Sequence, residues 1–119
     1  MKKTLVLGAT TNPERYAYRA VQRLTQQGHE VIPIGVKIGD IGHLKILQGQ
    51  PDVADLDTVT LYLGPERQKE NYDYILSLQP KRIIFNPGTE NPELAQLAEK
   101  QGIETIEGCT LVMLSIGTY

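Results

Sequence analysis

The chain has a single cysteine, Cys109, no excess of basic residues, no long apolar run and no internal repeat. One cysteine excludes an internal disulfide framework and fits a reducing compartment. With 12 Lys and Arg against 14 Asp and Glu the net charge is -2, so the basic footprint that nucleic-acid binding needs is missing. The apolar run after Met1-Lys2-Lys3 stops at Gly8. It is too short for a signal peptide or a membrane span, and a cytoplasmic protein is expected. No low-complexity tract or charge run marks a linker, so the 119 residues read as one domain.

Short apolar runs alternate with helical patterns. Leu5-Val6-Leu7 reads as a buried strand. Asn12-Pro13 then opens a helix, with Asn as cap and Pro at the first helical position, where its missing N–H costs nothing. Ala17, Ala20, Val21 and Leu24 form its apolar stripe, and Gly28 ends it. Val31–Ile34 is the second strand, and the glycine-rich stretch from Gly35 to Gly49 holds a short strand near Leu44–Leu47. A further strand is expected over Val59–Leu63, then a helix from Pro65 to Leu78 with Gln68, Tyr72, Ile75 and Leu76 along one side. Arg82–Phe85 is a strand. Asn91-Pro92 repeats the cap-and-proline device for a helix with Leu94, Ala95, Leu97 and Ala98 buried and Gly102 as its end. Glu104–Ile106 reads as a last core strand, followed by an apolar tail from Cys109 to Tyr119. This alternation predicts an α/β, Rossmann-like, doubly wound and mostly parallel sheet with helices on both faces.

In such a sheet ligands bind outside the carboxyl ends of the strands, near the point where strand order reverses. That rule selects the turns Gly8–Asn12, Ile34–Lys37, Leu63–Arg67 and Asn86–Asn91. In the first, Gly8 permits a tight turn and Ala9 keeps the wall low. Thr10 and Thr11 bring hydroxyls to a helix N-terminus, an anion site by its free N–H groups and its dipole, and Arg15 lies one turn in. The competing reading is a capped turn that binds nothing. Gly64-Pro65 and Pro87-Gly88 are ordinary turn formers taken alone; what distinguishes them is a shared sheet edge.

A dinucleotide site asks for G-x-G-x-x-G and an acid after the second strand. Here Thr10 and Pro13 stand where the later glycines belong, and the second strand runs on as Gly35-Val36-Lys37. Lysine suits a ribose phosphate better than a free diol.

The strand–GAT-T-NPER–helix unit, the strand in H-E-V-I-P-I, the L-Y-L-G-P-E-R turn and the closing I-E-G-C-T-L together resemble the CoA-binding domain family. That family shares the small Rossmann-like fold of the nucleotide end of the succinyl-CoA synthetase α subunit. The resemblance implies coenzyme A as ligand. It implies that Gly8, Ala9 and Thr10, with Arg15 behind them, hold the diphosphate, and that Pro33 and the residues after it to Lys37, Gly35 among them, lie by the adenosine and its 3′-phosphate; Thr11 and Asn12 of the first turn are further ligand-binding candidates. Leu63, Gly64 and Pro65 would line the adenine or pantetheine side, and Asn86, Pro87 and Gly88 the far wall. The sequence departs from the family where Gly35-Val36 replaces an asparagine-proline pair, and where Asn86-Pro87-Gly88 replaces an apolar segment with a glutamine.

No catalytic constellation is legible. His29 and His43 stand alone, Cys109 has no assignable base and reads as a buried structural thiol, and Asp55 and Asp57 lie in a loop. The expected role is a stand-alone module binding CoA or an acyl-CoA as carrier, sensor or accessory protein. Two alternatives remain: a small NAD(P)-dependent oxidoreductase, and an interaction subunit that has lost its ligand. The apolar tail also predicts a homodimer.

Overall fold

Strand β1 (Thr4–Leu7) is buried along its whole length and has neighbours on both sides. It pairs in parallel with β2 (Val31–Ile34) and with β5 (Thr58–Leu61), and β6 (Arg82–Phe85) and β7 (Glu104–Glu107) extend the sheet to the order β2-β1-β5-β6-β7. All four pairings are parallel. The computed structural model describes residues 1–119.

Helices cover both faces, so β1, β5 and β6 are buried at every position, although β5 alternates Thr58 and Thr60 with Val59 and Leu61. On one face α1 (Tyr16–Gln26) presents Ala17, Ala20, Val21 and Leu24, the expected stripe, and α5 (Thr110–Ile116) adds Leu114 over Val6 and Val31. The opposite face carries α2 (Pro65–Gln68), a 3-10 turn over Lys69–Asn71, α3 (Tyr72–Ser77) and α4 (Pro92–Lys100). There Ile75, Leu94 and Ala98 pack on Leu5, Leu7, Val59, Leu61, Ile83 and Phe85. The Asn91 cap forms as expected, its Oδ1 accepting from Leu94 N at 3.2 Å.

Several local expectations are corrected. Asn12 does not cap α1, which begins at Tyr16 with Arg15 as its N-cap. The Asn12 side chain instead accepts from Glu14 N at 3.0 Å, closing a turn of its own, as asparagine beside proline often does. Strand β5 stops at Leu61, so Leu63 belongs to the following turn. The helix from Pro65 to Leu78 is interrupted by its 3-10 turn, which brings Gln68 and Asn71 inward together because residues three apart eclipse in that geometry. The short strand near Leu44–Leu47 is a hairpin of β3 (Asp40–Ile41) and β4 (Leu44–Lys45), after which Leu47 bridges to Ile34. Strand β7 is an edge, half exposed and ending on exposed Glu104 and Glu107, because only β6 flanks it.

The tail is α5 and is divided between core and solvent. Leu114 is buried, while Val112 and Ile116 are 52% and 66% exposed. Cys109 is the N-cap of α5 and only part-buried, not the buried thiol expected. Tyr119 folds back to the amino ends of the strands. Its hydroxyl lies 2.5 Å from Thr4 Oγ1 and its ring beneath the Arg82 guanidinium at 4.4 Å. No helix is long and apolar enough to cross a membrane.

Candidate functional site

The chain leaves β1 towards one face and β5 towards the other, so their carboxyl ends diverge and a crevice opens between them. It is a cleft of about 1070 Å³. Of the predicted residues, Gly8, Ala9, Thr10, Thr11, Asn12, Arg15, Gly35, Lys37, Leu63, Gly64, Pro87 and Gly88 line it. Pro33, Pro65 and Asn86 do not. Pro33 is buried within β2 opposite Val6, and Pro65 is exposed at the start of α2. Asn86 is buried and structural: its Nδ2 donates to Thr60 Oγ1 and the Leu61 carbonyl, and its Oδ1 accepts from Thr110 N at 2.8 Å. It thereby seats the start of α5 on the ends of β5 and β6.

The first turn is shaped by close backbone packing. Gly8 and Ala9 both donate their N–H to the Ile34 carbonyl, at 2.9 and 2.8 Å, so neither amide is free. A Cβ on Gly35 would stand 2.2 Å from the Ala9 carbonyl oxygen, and Gly8 has φ of 102° against the Tyr62 backbone. These glycines bring the turn down onto the sheet. The amides of Thr10, Thr11, Tyr16, Ala17 and Tyr18 meet no protein acceptor. The donors therefore start two residues later than the glycine suggests, and continue into the first turn of α1.

Arg15, Lys37 and Arg67 reach the same cleft, and none forms an ion pair. Two carboxylates, Glu14 and Glu70, also line it. Anionic ligand groups therefore meet three cations that are held in no ion pair, one more than the carboxylates of the lining, and a run of unsatisfied donors. Gly64 and Gly88 have open space where a Cβ would stand, which keeps the opposite walls low.

Those walls are held by one side chain that sequence reasoning placed in a helix stripe but gave no role. Gln68 is fully buried, and its Nε2 donates to the Leu63 and Thr89 carbonyls, both at 2.8 Å. Its Oε1 accepts from Asn91 Nδ2 at 2.9 Å. The turn after β5 is thus clamped to the turn after β6 and to the cap of α4. Gln48, Gly49 and Gln50 also went unforeseen; they reach the cleft from the far side of β2, where Gln48 Nε2 donates to the Val36 carbonyl at 2.7 Å. Tyr16, Tyr62 and Asn71 also line it; Tyr62 falls within the L-Y-L-G-P-E-R turn, but sequence reasoning assigned none of the three a role.

Tyr62 has its hydroxyl buried beside Thr60 and Thr110 without a well-formed hydrogen bond, and burial raises its pKa far above the ordinary value. Burial also raises Tyr74 and Tyr119. The sign follows directly: an unfolded tyrosine ionises near about pH 10, while these hold their protons to higher pH, so the unfolded state gains ionisation first. Stability is expected to be level below that pH and to fall as pH rises through and beyond it. Urea unfolding followed from about pH 8 to about pH 11 checks this, and unchanged midpoints over that range contradict it.

A family model described as a CoA binding domain matches residues 2–115. A crystal structure of an uncharacterized protein is similar over 100% of this chain and 98% of that one, at 55% identity and a TM-score of 0.97. A conserved hypothetical protein from Pyrococcus furiosus covers 94% of this chain and 98% of its own, with 25% identity and a TM-score of 0.80. A protein from Thermus thermophilus shares the fold at 20% identity and a TM-score of 0.86, over 99% of this chain and 90% of that one.

Proposed function

We propose that this chain, which belongs to the CoA binding domain family, binds coenzyme A or an acyl-CoA in the cleft between the ends of β1 and β5, as a carrier, sensor or accessory module. One observation carries the reading: three unpaired cations and a run of free amides converge on a single large cleft at the strand-order reversal. CoA brings a diphosphate and a 3′-phosphate, and the residues present fit both. Thr10, Thr11 and Arg15, with the first turn of α1, would hold the diphosphate. Lys37 would meet the 3′-phosphate, and Leu63, Gly64, Pro87 and Gly88 would border the rest. Gly8, Ala9 and Gly35 contribute shape, since their backbones are engaged with one another. Bound CoA supplies a thiol for acyl transfer; this chain's part in that reading is to bind and orient it.

The reading needs no second copy of the chain. A homodimer through the tail has only Val112 and Ile116 as strongly exposed apolar support, because Leu114 and Tyr119 are engaged within the chain.

Saturating CoA, at about 100 times its Kd, should add roughly 2.7 kcal/mol of stability and raise the melting midpoint, with NAD giving a smaller shift. Arg15→Ala should weaken CoA binding about tenfold to a hundredfold through loss of a charge-assisted contact, with the fold intact. Calorimetry with both ligands tests this. A midpoint shifted by NAD and not by CoA would overturn the proposal in favour of a nicotinamide enzyme.

A further inference from the structure

We infer that the ring of Tyr16 is the stacking face for the adenine of the bound coenzyme. This rests on the reading of the cleft as a CoA site, and it gives a side-chain role to a residue that the phosphate contacts use only through its amide. The chain has six Tyr, one Phe and no Trp. Phe85 and Tyr74 are buried in the core, and Tyr18, Tyr62 and Tyr72 pack against it. Tyr119 is folded onto Thr4 and Arg82. Tyr16 is the exception, 67% exposed and in the lining of the cleft. A flat aromatic face open at a cleft is the surface on which proteins hold a base, because every base has a π-face to lay against it.

The fold sets where that ring stands. Arg15 is the N-cap of α1 and Tyr16 its first residue, so the ring starts from the same turn as the amides read as diphosphate donors. One turn on, Arg19 lies over the ring with its guanidinium carbon 5.8 Å from the centroid. That attraction favours one placement of the ring while leaving most of it open. Val36, 71% exposed, lines the same cleft next to Lys37. The segment carrying both is packed on the first turn. A Cβ on Gly35 would meet the Ala9 carbonyl oxygen at 2.2 Å, and one on Gly39 the Thr11 side chain at 2.3 Å. Lys37 is thereby held beside the chain that leads into α1. In CoA one ribose carries the 3′-phosphate, the base and the link to the diphosphate. A ligand with its diphosphate at Arg15 and its 3′-phosphate at Lys37 has its adenine one sugar ring away from each. Tyr16 and Val36 are the exposed apolar groups of the lining beside those two cations.

Calorimetric titration of CoA into the full chain, Tyr16→Phe and Tyr16→Leu tests this. Both variants keep the main-chain amide, and leucine keeps apolar bulk without a π-face. Tyr16→Phe is expected to bind CoA within about threefold of the unaltered chain, and Tyr16→Leu about fivefold to a hundredfold more weakly. A CoA analogue with the fluorescent etheno-adenine base gives the second readout, since stacking on an aromatic ring quenches its emission. Saturation with the unaltered chain or Tyr16→Phe should quench it, and saturation with Tyr16→Leu should not. CoA affinity of Tyr16→Leu within about twofold of the unaltered chain, or equal quenching by it, overturns the inference while leaving the CoA site standing. Absence of CoA binding by the unaltered chain overturns the CoA reading itself and this inference with it.

Discussion

Gln68→Leu is expected to lower stability by about 3–5 kcal/mol and to weaken CoA binding at the same time. Leucine fills a similar volume, so the loss does not come from a cavity. It comes from three hydrogen bonds at a fully buried position. Without them the Leu63 and Thr89 carbonyls lose their common donor, and Asn91 Nδ2 keeps only the Tyr72 hydroxyl at 2.7 Å. Each buried group left unsatisfied costs about 1–3 kcal/mol. The walls on either side of the clamp then move independently, which is why affinity should fall with stability. Gln68→Glu sharpens the test. An ionised carboxylate has no donor for two carbonyls, so its folded pKa is raised, and the variant should be most stable at low pH and lose stability as pH rises. Urea unfolding of both variants decides the matter. A loss below about 1 kcal/mol for Gln68→Leu means that the clamp is not what holds the walls.

Tyr119→Ala is expected to cost about 3 kcal/mol, although the residue lies outside every regular element. The ring packs 4.4 Å from the Arg82 guanidinium carbon, edge-on to His29 at 5.0 Å, and its hydroxyl meets Thr4. Arg82 is itself buried, its Nε donating to Thr58 Oγ1 at 2.7 Å with Asp57 at 4.0 Å, and its Nη2 has no partner. Removing the ring takes away the surface that faces this charge, and a desolvated cation over an aromatic face contributes about 2 kcal/mol. Tyr119→Phe keeps the ring and should lose only about 1 kcal/mol. Equal losses for the two variants would assign the effect to the hydroxyl, and the cation–ring contact would then contribute nothing measurable.

Much of the architecture was legible because it rests on local rules. The strands β1, β2 and β6 announce themselves as short apolar runs, and Asn91-Pro92 caps α4 as residues of that kind do. The opening of α1 was misread although the same pair of residues stands there. Asn12 closes a turn on Glu14, so identical local chemistry serves a different purpose four residues before the helix begins at Tyr16. The reading of β7 as core failed because an edge and a centre differ by a neighbour that sequence periodicity does not record.

By itself, then, the sequence determined the α/β alternation, the apolar stripes of the helices and the four turns gathered at one edge of a parallel sheet, since helix and strand periods and turn chemistry act over a few residues. Tertiary structure alone decided which donors in those turns are free. The Gly8 and Ala9 amides are taken by Ile34, whereas those of Thr10 and Thr11 are not. It also decided that Gln68 clamps the cleft through partners 5, 21 and 23 residues away, and that Tyr119 closes on Thr4, 115 residues from it. The physical reason is the same in each case. A buried polar group must find a partner wherever the packed chain brings one, and that partner is chosen by the fold and not by its neighbours in sequence.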